Sequence, residues 1–264
     1  MSTDQQAKGE AFRALHEGEP FVIPNPWDAG SAKVLDALGF KALATTSAGF
    51  AFTLGRHDGR VTLDEVLAHV STVAAATSLP VSVDLENGFG PEPGQAARAI
   101  SGAAKSGAVG GSIEDWDPER ELIYEVGAAA ERIEAAAEAA GAAGVPFTLT
   151  ARAENHLRGN PDLDDTIARL QAYEAAGADV LYAPALFKPD DIRAVCDAVS
   201  KPVNVLGLPG MDTAEVVEAG AQRISVGSQL TWVAAGAMAE AAERLRDGDL
   251  DALRSRVKLG EWLG

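Results

Sequence analysis

The chain has 264 residues, of which 47% are hydrophobic and 23% are charged, a composition that is ordinary for a soluble globular protein. Its net charge of −17 argues against a nucleic acid or an anionic membrane surface as a partner. Cys196 is the only cysteine, which excludes an intramolecular disulfide and fits a reducing, cytoplasmic compartment. The sequence has neither a signal-peptide pattern nor a run of about 18 apolar residues, so we expect no membrane association.

Eight short apolar runs, rich in branched residues and most of them followed by polar or Gly/Pro residues, predict eight strands. In chain order they are FVIPNP from Phe21, ALATTS from Ala42, VSVDLE from Val81, GGSIED from Gly110, FTLTARA from Phe147, VLYAPA from Val180, VNVLG from Val203 and RISVGS from Arg223. Amphipathic segments lie between the strands and predict helices, and several of them end in a glycine just before the next strand.

Strands that alternate with helices predict parallel pairing. Eight such units in a chain of this length favour one (β/α)8 TIM barrel over residues 1–264, with a doubly wound open sheet as the alternative. A last amphipathic pattern, LDALRSRVKLGEWL from Leu250, predicts an extra C-terminal helix.

In a barrel, the carboxyl ends of the strands meet at one face, and active sites form there. Asp84 and Glu86 end the third predicted strand, Glu114 ends the fourth, and Asp58 lies in the loop after the second. Asp84 and Glu86 are two residues apart, so strand alternation predicts that they point to the same side. Converging carboxylates repel one another unless a hard cation joins them, which predicts a Mg²⁺ site that Mn²⁺ could also fill.

Other polar residues at these ends have a structural or a functional interpretation. Asp28 and Asp115 are interpreted as helix N-caps or solvated loop residues. Arg152, after the fifth strand, can be a counter-ion of the carboxylates, a clamp for a substrate carboxylate or phosphate, or both. His57 and Tyr124 are the loop residues that we consider as proton donors or acceptors, together with a metal-bound water.

The stretch TTSAGF, from Thr45, predicts a small hydroxylated turn. Its hydroxyl and backbone N–H groups can be directed at an oxyanion. Trp27 follows the first strand and Asn204 lies on the seventh, and both are candidate substrate contacts.

The order of these motifs carries a resemblance to a known family. NPWDAGSAKVLDALGFKALATTSAG, LGRHDG, VDLENGFG, GGSIEDW, TARAEN and RISVGSQL together resemble the isocitrate lyase/phosphoenolpyruvate mutase superfamily over almost the whole chain. The resemblance implies a barrel of the phosphoenolpyruvate-binding type that binds Mg²⁺, handles 2-oxo acids or their enolates and, in many members, cleaves C–C bonds. It also implies late helices that are exchanged between the subunits of a homodimer or homotetramer.

The resemblance assigns roles to individual residues. It makes Asp84 the direct metal ligand. The acidic positions that hold the metal largely through water are Asp58, Glu86 and Glu114. The turn that binds the substrate carboxylate and the enolate oxygen is Thr46, Ser47 and Ala48, and Arg152 matches the arginine that engages a substrate carboxylate or phosphonate.

The loop after the fourth strand departs from the family pattern. It reads EDWDPERELIYEVG and lacks the Lys-Cys-Gly-His stretch of the isocitrate and methylisocitrate lyases, as well as the asparagine-bearing lid of the phosphonopyruvate-processing members. The hypothesis from sequence is therefore a Mg²⁺-dependent lyase or decarboxylase that acts on a small 2-oxo or 2-hydroxy carboxylate through a metal-stabilised enolate. The alternatives are a phosphonopyruvate-type C–P hydrolase or mutase, and a non-catalytic barrel that binds keto acids.

Overall fold

The computed structural model describes residues 3–255 and 260–263, and its centre is a barrel of eight parallel strands. The barrel strands are β1 (Phe21–Ile23), β2 (Leu43–Ala44), β3 (Val81–Asp84), β4 (Gly110–Glu114), β7 (Thr148–Arg152), β8 (Val180–Tyr182), β9 (Val203–Leu206) and β10 (Arg223–Ser225). Their order is β1-β10-β9-β8-β7-β4-β3-β2, and all neighbouring pairs are parallel. The two edges approach each other where the Ala44 N–H donates to the Pro24 carbonyl at 3.1 Å. The predicted barrel and its eight strands are confirmed.

Helices cover the outside of the barrel. They are α1 (Thr3–Leu15), α2 (Ala29–Ala37), α3 (Ser47–Thr53), α4 (Leu63–Ala76), α5 (Pro93–Lys105), α6 (Val126–Gly141), α7 (Leu163–Ala175), α8 (Pro189–Ala198), α9 (Thr213–Glu218), α10 (Gln229–Arg246) and α11 (Gly260–Leu263). Side chains fix several starts: Thr62 and Glu65 form a reciprocal capping box before α4, and Asp162 accepts N–H bonds before α7.

The main core lies between the sheet and the helices. Alanines of α5 such as Ala99 and Ala103 are fully buried with Ile113 and Leu149 of the sheet. Small side chains let a helix approach a sheet closely, which explains the alanine-rich segments of this sequence. At the amino end of the barrel, α1 buries Phe12 in a second, smaller cluster.

The structure adds elements that the sequence patterns did not predict. The loop after β4 forms an antiparallel hairpin, β5 (Trp116–Asp117) and β6 (Leu122–Ile123). The predicted turn at Thr45 is instead the start of α3, because the Thr46 hydroxyl accepts the Gly49 N–H at 3.3 Å and caps the helix.

The predicted helix from Leu250 is only partly correct. The described residues form a 3₁₀ turn, Leu250–Ser255, and the short α11, and residues 256–259 of the pattern lie outside the described residues. The long terminal helix is α10, which begins directly after the last barrel strand. Across residues 3–255 and 260–263, no helix is both long enough and apolar enough to span a membrane.

Candidate active site

Asp84 is held at the carboxyl end of β3 by neighbours on both sides. Its backbone N–H donates to the Thr45 hydroxyl at 3.0 Å. Its carboxylate accepts the N–H of Ser47 at 3.3 Å and the N–H of Glu86 at 3.1 Å. The start of α3 and the turn after β3 therefore fix the Asp84 carboxylate at the mouth of the barrel.

Glu86 lies beyond the strand, and its backbone has a left-handed φ of 48°. The argument from strand alternation was therefore wrong, because β3 ends at Asp84 and Glu86 belongs to the turn. The two carboxylates nevertheless face a common site, since the Asp84 charge contributes to the raised pKa of Glu86. Oε1 of Glu86 is buried and has no hydrogen-bond partner among the described residues.

The predicted acidic positions repel one another electrostatically. Burial, followed by the charges of Asp84 and Asp58, raises the pKa of Glu86 to about 8. Burial and the Asp84 charge also raise the pKa of Asp58, which lies on an exposed loop with its carboxyl near Ser47. Burial raises the pKa of Glu114 well above its usual value, and the neighbouring Glu154 adds to this. In each case burial is the largest cause, and the neighbouring negative charges add to it.

Arg152 compensates part of this charge. Its guanidinium lies 3.4 Å from Glu114 and also bonds to Glu154, a carboxylate with no exposed surface. Burial acts to lower the pKa of Arg152, but these carboxylates outweigh burial and leave the pKa above its usual value. Arg158 donates to the second oxygen of Glu154 at 2.9 Å. Arg152 is therefore a counter-ion, as one of the two interpretations predicted.

A polar cavity of about 60 Å³ extends from this mouth into the barrel. Among the predicted site residues, its lining includes Thr46, Asp84, Arg152 and Asn204. The lining residues to which the sequence assigned no role include Tyr182 and Arg223. The sequence signal that could have identified Arg223 is its charge at the first position of a predicted barrel strand.

Ser47, Ala48 and Trp27 are not part of the cavity lining. Ser47 and Ala48 are the first two residues of α3, where backbone N–H groups have no partner within the helix. Trp27 is half-buried and donates its backbone N–H to Ser31 at 3.0 Å. Its Cβ also lies 3.2 Å from the position that a Cβ on Gly49 would occupy, so Trp27 packs against the start of α3.

The two loop residues proposed for proton transfer lie elsewhere. Tyr124 is buried in the main core, its hydroxyl accepts from Asn87 at 3.3 Å, and Arg132 lies 4.5 Å above its ring. Burial raises its pKa. His57 is exposed on the loop after α3. Neither residue lines the central cavity.

The remaining two strand-end acids have structural roles. Asp28 caps α2 and accepts the Ser31 N–H at 2.6 Å, as the N-cap interpretation predicted. Asp115 is buried and not solvated: it accepts from Tyr173 at 2.5 Å and from Arg169 at 3.1 Å. The expectation of a solvated loop residue was therefore wrong for Asp115, which ties the end of β4 to α7.

The acidic residues fit a metal that is held mainly through water. In the described ranges, no three His, Cys, Asp or Glu side chains converge closely enough to ligate one ion directly. Mg²⁺ commonly takes one or two protein carboxylates and keeps several waters, so one direct ligand is sufficient. The unpartnered Glu86 oxygen and the mutual repulsion of the carboxylates are the features that a cation would relieve.

Comparison with known proteins identifies relatives of this chain among enzymes that act on small carboxylates. The 2-methylisocitrate lyase of Escherichia coli (strain K12) is 32% identical over 205 residues, which cover 74% of this chain and 68% of that protein. An oxaloacetate decarboxylase of Rhodopseudomonas palustris (strain BisB18) is 30% identical over 230 residues, covering 85% of this chain and 79% of the relative.

Solved structures share the fold over the full length. A candidate lyase/mutase from Burkholderia cenocepacia J2315 superposes with a TM-score of 0.96 at 50% identity, covering 100% of this chain and 98% of the other. A 2,3-dimethylmalate lyase superposes with a TM-score of 0.87 at 28% identity, covering 100% of this chain and 96% of the other. The family model described as phosphoenolpyruvate phosphomutase matches residues 12–246. The chain therefore belongs to this family, within the phosphoenolpyruvate mutase/isocitrate lyase superfamily.

Proposed function

We propose that the protein is a Mg²⁺- or Mn²⁺-dependent lyase or decarboxylase that acts on a small 2-oxo or 2-hydroxy carboxylate through an enolate. Members of this superfamily are lyases that act on small carboxylates, and they use a divalent metal. The observation that carries the proposal is the group of mutually repelling carboxylates of Asp84, Glu86 and Glu114 beside Arg152, of which Asp84 and Arg152 line a polar cavity.

Asp84 is the residue that would bind the metal directly, because its carboxylate is fixed by two backbone N–H groups. Asp58, Glu86 and Glu114 would hold its water ligands. When bound, the cation supplies a Lewis acid that polarises the 2-oxo group and lowers the energy of the enolate.

The start of α3 supplies the donors for the substrate. The Ser47 N–H is engaged with Asp84 and the Ser47 hydroxyl with Asp58, so the available groups are the Ala48 N–H and the Thr46 hydroxyl. The Thr46 oxygen accepts the Gly49 N–H, which leaves its hydroxyl proton free to donate to an oxyanion. Arg152 would hold a substrate carboxylate from the opposite side, with Trp27 and Asn204 as further contacts.

The proton donor in the cavity lining, Tyr182, favours decarboxylation over aldol-type cleavage. Cleavage of a 2-hydroxy acid requires a base to remove the hydroxyl proton, whereas loss of CO₂ from a 2-oxo diacid requires none. Tyr182 lines the cavity, and its ring centroid lies 5.3 Å from the Arg152 guanidinium carbon. Burial raises the pKa of Tyr182. Its hydroxyl is therefore protonated at neutral pH and can protonate the enolate after the C–C bond has broken.

The test is an activity panel with purified protein and Mg²⁺. The substrates are oxaloacetate, substituted malates, methylisocitrate and phosphonopyruvate. The test variant is Asp84→Asn, and the matched control variant is Asp28→Asn. We expect release of pyruvate or another keto acid by the wild type and by Asp28→Asn, whose acid only caps α2, and no release by Asp84→Asn.

Other outcomes select the alternatives. Phosphate release from phosphonopyruvate alone would replace the proposal with C–P chemistry. Mg²⁺-dependent binding of 2-oxo acids in calorimetry, without turnover of any substrate, would replace it with a non-catalytic keto-acid binder.

We also propose that the protein is a homodimer or homotetramer with α10 at the subunit contact. Thr231 is the only buried residue among the 18 of this helix. Val233 and Met238 expose 67% and 64% of their surface, and the exposed Trp232 ring contacts only Phe52 among aromatic neighbours in the described chain. Exposed apolar residues on one helix are typical of a subunit interface. A monomeric mass in light scattering would contradict this assignment.

A further inference from the structure

The interior of the barrel is unusually polar. In most barrels of this fold, bulky branched residues fill the interior in layers. Here the central cavity is lined by hydroxyl and amide side chains below the carboxylate site: Asn25, Thr45, Ser82, Ser112, Thr150, Asn204 and Ser225. Its volume of about 60 Å³ gives room for a few water molecules or for part of a small polar ligand.

Arg223 forms the floor of this cavity. Its side chain begins at the first residue of β10, and only 5% of the residue is exposed. The guanidinium donates to the Asn204 amide oxygen at 2.8 Å and to the Thr150 hydroxyl at 3.0 Å. It also lies 3.1 Å from His16 Nε2. Since His16 Nδ1 lies 2.8 Å from the Phe12 carbonyl and must donate to it, Nε2 is an acceptor and the imidazole is neutral.

Arg223 therefore differs from the other cations near the cavity. Arg152 and Arg158 each contact carboxylates. No carboxylate lies within ion-pair distance of Arg223 anywhere in the ranges that the structure describes. Its three contacts also use only three of its five N–H donors. A buried cation without a counter-charge is costly, and a bound anion would reduce that cost.

We propose that Arg223 and the hydroxyls around it form an anion-binding site at the floor of the cavity, which takes the second carboxylate of a dicarboxylate substrate. One end of the substrate lies at the Asp84 and Arg152 level, and the other end reaches down to Arg223. The identity of the substrate rests on the proposed function, whereas the anion site itself does not. The site makes Arg223 a specificity-determining residue for 2-oxo diacids over 2-oxo monoacids.

The first experiment measures anion binding without metal, so that it does not depend on catalysis. Malonate is titrated into protein in EDTA by calorimetry. We expect saturable binding to the wild type and to Arg158→Met, whose arginine is already paired with carboxylates, and at least a tenfold loss of affinity in Arg223→Met. Absence of malonate binding to the wild type, or unchanged binding to Arg223→Met, would overturn the proposal.

A second measurement avoids the risk that Arg223→Met fails to fold. Crystals of the wild-type protein soaked in bromide should show an anomalous peak in contact with the Arg223 guanidinium, and malonate should displace it. Bromide only at other sites would count against the proposal as strongly as a negative titration.

Activity then tests the substrate assignment. We expect Arg223→Lys, which retains the charge but loses the planar fork, to raise KM for oxaloacetate about tenfold while the inhibition constant of 2-oxobutyrate, a competing monoacid, is unchanged. An equal change for both ligands would overturn the assignment to the second carboxylate. Malonate binding without any turnover would leave the anion site in place and refute the proposed function instead.

Discussion

His16 provides a test of the buried network beneath the cavity. Burial, followed by the charge of Arg223, lowers the pKa of His16 from 6.5 to about 3, while its bond to Phe12 opposes the shift. The unfolded chain thus takes up a proton on His16 below pH 6.5, and the folded protein does not until the pH is near 3. The contribution of His16 to the free energy of unfolding is therefore complete above pH 6.5 and falls as the pH is lowered from 6.5 towards 3.

The size of the effect follows from the two pKa values. At about pH 5, His16 alone should reduce the free energy of unfolding by about 2 kcal/mol relative to neutral pH. His69 is a second contributor, because burial lowers its pKa from 6.5 to about 4. The substitution His16→Gln should remove the His16 share and leave that of His69.

Urea unfolding at about pH 7.5 and pH 5 measures this difference for the wild type, His16→Gln and His69→Gln. We expect each variant to lose about 2 kcal/mol less than the wild type between the two pH values, and the double variant to lose about 4 kcal/mol less. An identical pH dependence for the wild type and His16→Gln would refute the reasoning, because it would mean that His16 is protonated beside Arg223 in the folded protein.

Four further substitutions test the site and the packing. Asp84→Asn should abolish the increase in Tm that Mg²⁺ gives the wild type, measured by thermal unfolding with and without EDTA. Tyr182→Phe should lower kcat about 100-fold and leave KM nearly unchanged, as expected for loss of a proton donor, and an unchanged kcat would exclude that role. Arg152→Lys should reduce kcat/KM about 10- to 100-fold, because lysine retains the charge but loses one of two parallel hydrogen bonds to a carboxylate. Gly110→Ala should destabilise the fold by about 1–3 kcal/mol in urea unfolding, since the new methyl group would lie 2.6 Å from the Phe12 ring.

The sequence predicted the strands well because their signal is local. Each barrel strand is a short branched run bounded by polar or glycine residues, and eight such runs with helices between them permit few architectures. The acidic positions followed from the same argument, since residues at the carboxyl ends of parallel strands must meet. The conformation of Glu86 did not follow, because the point where β3 stops depends on how the next turn packs.

Other parts of the site depend on contacts between distant residues. His16 and Arg223 are separated by 207 positions, and nothing near either residue indicates that the other will be its partner. Asp115 was misassigned for the same reason, because Tyr173, which makes it a buried acceptor, lies 58 positions away. Residue type and strand register can show that a charge enters the barrel, but only the folded chain shows what neutralises it.

The hairpin after β4 bears on where reaction specificity resides. Its Trp116 ring lies 4.4 Å from the Arg158 guanidinium, and Arg158 in turn bonds to Glu154 beneath the carboxylate site. Tyr124, directly after the hairpin, is buried with its hydroxyl bonded to Asn87. These contacts hold the hairpin in place, and none of its acidic or basic side chains lines the cavity. The groups that we propose to distinguish substrates and to move a proton are instead inside the barrel, at Tyr182 and Arg223, so substitutions there should change the choice of substrate more than substitutions in the hairpin.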